Sequence, residues 1–170
     1  MLPLPSFQPS RKTALPCLGT SFTSRMTLSS PQLQRLVSRV LVNATGQTSP
    51  DAAQLSSAFD KLTGQLRGRL QPLFGTVAMS ALFARALHVA MSEFPWLGNV
   101  LEPDGDGHCT PNSMAILSAT DPTVVRNGLA AVLAHQIGLL SAFVGEDLVL
   151  PLVQQAWGPV MSAEEAANRG

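Results

Sequence analysis

The stretch EPDGDGHCTPN, residues 102–112, holds the densest metal-capable chemistry in the chain: Asp104, Asp106, His108 and Cys109. Two carboxylates, an imidazole and a thiol so close together could ligate calcium or zinc. A calcium loop needs a turn glycine at its sixth position and a bidentate Glu at its twelfth. Counted from Asp104, Cys109 stands where the glycine belongs and Ala115 where the Glu belongs. Zinc would need further Cys or His at ligand spacing, and the remaining histidines, His88 and His135, fall on segments that read as helices. Turn chemistry alone accounts for Asp-Gly-Asp-Gly. The expectation is no metal and no cofactor, with these four residues as the candidates to check.

Other chemistry is equally sparse. Cys109 with His88 or His135 would write a thiol–imidazole dyad, but no spacing brings them together, and there is no G-x-S-x-G elbow for a serine nucleophile. Glu146 and Asp147 are adjacent acids, which point about 100° apart on a helix. At a helix start they meet free N–H groups and the positive end of the dipole. Asp147, and Asp121 ahead of Pro122, are therefore read as helix caps, and no residue is read as catalytic. Arg35, Arg39, Arg67 and Arg69 could gather phosphate, but their helices lack exposed aromatics and no Gly-rich phosphate loop occurs. No nucleic-acid partner is expected.

Five helical segments must position these residues. The first follows Ser29-Ser30-Pro31-Gln32, which resembles a capping box; Leu33, Leu36, Val37, Val40 and Leu41 then fall on one stripe. The second starts at Ser49-Pro50-Asp51, carries Leu55, Phe59, Leu62, Leu66 and Leu70, and closes at Pro72 and Gly75. The third runs from Thr76 to Phe94, before Pro95. Residues 98–120 read as a long loop, with a small hairpin of NVLE and MAIL as one option. The fourth covers residues 122–143, with Gly145 as a left-handed stop. The fifth starts near Asp147, takes Pro151 in its first turn, and ends around Trp157-Gly158-Pro159.

The fourth segment decides the architecture. Nineteen residues between Arg126 and Glu146 carry no formal charge, close to the length of a membrane span. His135 and Gln136 sit at its centre, where polar groups are most costly in lipid. It therefore reads as a core helix rather than a span, and no membrane association is expected. Ala130, Ala134, Gly138 and Ala142 recur every four residues as a helix-packing ridge. On that reading Gly138→Leu overpacks a helix contact.

A chain of 170 residues is long enough for one core. Hydrophobic residues make up 45% and charged ones 13%, about half the usual charged share. Residues 1–85 carry nine Lys/Arg against two acids, and residues 86–170 two against nine. The neutral total thus hides halves of opposite sign, which can attract within a fold or between subunits. The two cysteines, Cys17 and Cys109, make no disulfide framework, so reduced thiols and a cytoplasmic location are expected. Residues 1–28 are broken by Pro3, Pro5, Pro9 and Pro16 and lack a signal-peptide core. They are expected to be a disordered tail or an over-long start, with residues 159–170 a frayed tail around a helical domain of residues 29–158.

IGLLSAFVGEDLVLPLVQQAW, with ALFARALHVAMSEFPWL upstream, resembles a pattern in small uncharacterised helical proteins of bacteria: an LL..F.GE.L...L...W ending and an LF.RAL..A..E.PWL segment. The resemblance covers about residues 60–97 and 129–158. It implies an all-helical bacterial protein and attaches no activity, ligand or partner. The sequence as a whole predicts an all-α irregular bundle of about five helices around a central apolar helix. The expected function is non-enzymatic: an interaction or regulatory module, with a protein partner or a second copy of itself. The alternative is a small enzyme or ligand binder using the 98–120 loop with His88 or His135.

Overall fold

Leucine and valine at helical spacing build the long helices of the computed structural model, which describes residues 30–102 and 108–167. The chain is all-α, with seven helices among the described residues. Helix α1, Ser30–Thr45, buries Leu33, Val37, Val40 and Leu41 while Arg35 and Arg39 stay exposed. Ser29, read as its cap, lies outside the described residues. Helix α2, Ala52–Phe74, buries the whole expected stripe from Leu55 to Leu70. Its cap is Asp51 rather than Ser49: Asp51 Oδ1 accepts from Gln54 N at 2.8 Å and Gln54 Oε1 accepts from Asp51 N at 3.1 Å. This reciprocal pair satisfies two otherwise orphaned N–H groups. Pro72 lies inside α2 and does not end it.

Helix α3, Thr76–Met91, stops three residues earlier than expected, in turns that return the N–H groups of Glu93 and Phe94 to Ala90 O. Residues 98–120 hold two short helices, α4 (Leu97–Val100) and α5 (Ser113–Ala119). The hairpin option is overturned, because NVLE overlaps α4 and MAIL lies in α5. What closes the loop is a single antiparallel bridge between Leu101 and Cys109. Thr110 N donates to Val100 O at 2.7 Å beside it.

Helix α6, Pro122–Val144, is the central helix: it packs against α1, α2, α3 and α7. It alone among the described helices is long and apolar enough to cross a membrane, and 56% of its most apolar window is buried within the fold. The closest backbone approach is not where the small-residue ridge placed it. Ala130 and Ala134 are buried, but Gly138 and Ala142 are exposed, and a Cβ added at Gly138 would meet nothing within 4 Å. The overpacking expected of Gly138→Leu is therefore withdrawn. Gly128 is the crowded position: a Cβ there would lie 2.5 Å from Trp96 Cζ2.

Helix α7, Glu146–Ala167, continues through Pro151 and Pro159, past the expected stop. Its anchor is Trp157, fully buried, whose Nε1 donates to Leu62 O at 3.1 Å. That bond gives the indole N–H a partner inside the core and fixes α7 against α2. Gly75 (φ 81, ψ 163) and Gly145 (φ 95, ψ 145) form single-residue corners between α2 and α3 and between α6 and α7. Gly145 is thus not in the left-handed helical region expected of it. Its dihedrals fall in a region open essentially to glycine alone.

Candidate functional site

The described residues form a polar cluster where Cys109 meets α2 and an apolar groove between α3 and α6.

The cluster forms because the Leu101–Cys109 bridge lowers Cys109 onto α2. Ser56 and Asp60, one helical turn apart, present polar atoms on the same face. Ser56 Oγ lies 3.1 Å from Cys109 Sγ, and Cys109 Sγ donates toward Asp60 Oδ1 at 4.0 Å. Burial pushes the Cys109 thiol up from its ordinary value; the Asp60 charge adds to the rise, while hydrogen bonds from Ser56 and Ser113 oppose it. Burial also raises the Asp60 carboxyl, with His108 pulling it back. A catalytic thiol needs the opposite shift, toward thiolate. The arrangement favours the protonated thiol over the thiolate and ties the Leu101–Cys109 bridge to α2. The sequence singled out His108 and Cys109 but not Ser56 or Asp60; the one available signal was two polar residues four apart beside the Leu55–Phe59 stripe.

Of the other singled-out residues, His88 and His135 do not join this cluster. His88 is exposed on α3. His135 is a quarter exposed, with Nε2 4.0 Å from Glu93 Oε1. Asp104 and Asp106 lie outside the described residues. Among the described residues no group of three His, Cys, Asp or Glu is arranged to hold a metal ion. Asp121 does cap α6, accepting from Thr123 N at 2.7 Å. Asp147 is not a cap: α7 begins at Glu146, so Asp147 lies inside the first turn, where it meets the helix dipole.

The groove is a product of the two glycine corners. They bring Phe74, at the end of α2, beside Phe143 and Val144, at the end of α6, with Leu82 and Leu140 also in the lining of a cavity of about 360 Å³. Arg85 is the one charged residue of this lining, where its hydrocarbon stem can lie along the apolar wall. Phe143 is 78% exposed, and nearby Val77 85%. Phe143 thus lines the groove with most of its surface open to solvent. None of this was read from the sequence.

No protein-family model matches the chain, and neither the curated proteins nor the solved structures include a match. The functional reading therefore rests on the chemistry of these surfaces.

Proposed function

We propose that this protein is a non-enzymatic helical interaction module that pairs with a second copy of itself through the α3–α6 groove. The observation that carries the reading is Phe143, more than three-quarters exposed at the edge of a groove lined mainly by hydrocarbon. A second copy is the occupant because the same end supplies both signs of charge. Arg85 lines the groove, and Glu146 and Asp147 follow Val144 directly. In a two-fold contact each patch meets its own equivalent, so one copy's Phe143 enters the other's groove while the acids face Arg85. Burying each Phe143 contributes about 1.5–3 kcal/mol. The enzymatic alternative has less support, since Cys109 is held as a thiol and neither His88 nor His135 meets it.

Light scattering on the size-fractionated full chain tests this. The expected mass is that of two chains, falling to one for Phe143→Asp with helical content unchanged. A wild-type monomer at high concentration, or an F143D protein that still pairs, overturns the proposal. So does partition onto lipid vesicles in place of pairing.

A further inference from the structure

Ala78 and Ala81 put only methyl groups into the α3 side of the apolar groove, which leaves a cavity of about 360 Å³. That volume falls within the range of small-molecule sites, roughly 300–1,000 Å³. Ala78, Leu82 and Arg85 stand at i, i+4 and i+7, so they share one face of α3. Ala78 and Arg85 are about 10 Å apart along that face at 1.5 Å per residue. The groove therefore has a direction. Phe74 lines it from the end of α2, just before α3 begins, and Arg85 lines it from further along α3.

The wall of the groove exposes hydrocarbon. Arg85, itself an exposed residue, contributes its stem to that wall and leaves its guanidinium at the rim. No Asp or Glu is among the lining residues. An uncharged apolar ligand would fill the wall and leave the cation unused. A bare anion would meet the cation and leave the wall wet. An alkyl chain that ends in a carboxylate meets both, and a single guanidinium fork matches the two oxygens of one carboxylate. The proposed second copy offers the same pairing, with Phe143 as the hydrocarbon and Glu146 and Asp147 as the carboxylates.

We infer that the α3–α6 groove binds a medium-chain alkyl carboxylate, its chain against Leu82, Leu140 and Phe74 and its carboxylate on Arg85. Such a ligand and a second copy exclude one another; this exclusion, unlike the binding itself, rests on the self-contact proposed above. The ligand is then a regulator of pairing.

Calorimetric titration of the full chain with octanoate, decanoate and 1-octanol, each below its threshold for micelles or phase separation, tests the inference. Light scattering on the same samples follows pairing. Octanoate and decanoate are expected to bind saturably, one per chain, with decanoate about tenfold tighter for its two extra methylenes. Arg85→Gln should weaken octanoate up to about fivefold and leave 1-octanol unchanged. Ala81→Trp, which fills the groove from an exposed position, should abolish binding of all three with helical content intact. Saturating decanoate should convert the two-chain mass to that of one chain. A dimer that binds no decanoate refutes the ligand site alone, whereas a monomer that binds it refutes the self-contact alone. A dimer that persists at saturation overturns the assignment of both occupants to one groove. Decanoate affinity unchanged in A81W overturns the site. So does partition onto phosphatidylglycerol vesicles without saturable decanoate binding, which would assign the groove to a membrane surface.

Discussion

Gly128 and Gly138 sit on one helix with opposite consequences for an added methyl. At Gly128 it would strike the Trp96 ring at 2.5 Å, whereas at Gly138 it would meet open space. Gly128→Ala is expected to destabilise the fold by about 1–3 kcal/mol through overpacking. Gly138→Ala should stabilise it by about 0.5–1 kcal/mol through helix propensity. Urea unfolding of the two variants checks the pair, and equal shifts would refute the placement of α6 against Trp96. Asp60 gives a pH-dependent test. Its carboxyl is raised by burial, so the folded chain holds that proton more tightly than the unfolded one. The favourable contribution is complete below the ordinary value of about 3.9 and is lost as pH rises through the folded value. At neutral pH the ionised group is a net cost, so Asp60→Asn should raise the melting temperature at about pH 7 and lose that advantage near pH 3.5. An advantage that grew in acid would mean the carboxylate is stabilised as the anion.

At the scale of elements, each of the 23-residue helices α2 and α6 ends in a one-residue glycine corner. Gly75 N donates to Gln71 O at 2.8 Å and Gly145 N to Ser141 O at 2.9 Å, closing one helix as the next begins. A side chain at those dihedrals costs on the order of 1–3 kcal/mol. Gly75→Ala and Gly145→Ala should each lower stability by about that much despite open space around both. Differential scanning calorimetry measures this, and a neutral Gly145→Ala would mean that the corner relaxes freely. Helix existence was legible wherever apolar residues kept a helical period for several turns, as in α1, α2, α3, α6 and α7. Helices α4 and α5 were not, because four and seven residues complete too few turns for a period to show. The continuation of α7 past Pro159 was also hidden, since a proline ordinarily signals a helix end.

At the scale of the whole molecule, the apolar groove lies at the C-terminal end of α6, where Leu140, Phe143 and Val144 line it. The charge halves suggest a self-contact held by ions, but the groove around Phe143 is apolar. Exposed ion pairs contribute about 0–1 kcal/mol each and weaken in salt, whereas apolar burial does not. The dissociation constant of the dimer should therefore change less than about tenfold between low and high salt, as followed by light scattering. A dimer that dissolves in salt would assign the contact to the charged halves.

The sequence alone determined the all-α class, the stripes of α1 and α2, the Asp121 cap and the central place of α6, because each follows from local spacing along one chain. The tertiary structure decided everything that needs two segments to meet. It turned Gly138 outward and Gly128 toward Trp96, set Cys109 on Ser56 and Asp60, and exposed Phe143. The physical reason is that helical periodicity fixes which residues share a face, while crossing geometry and the two glycine corners fix what that face touches.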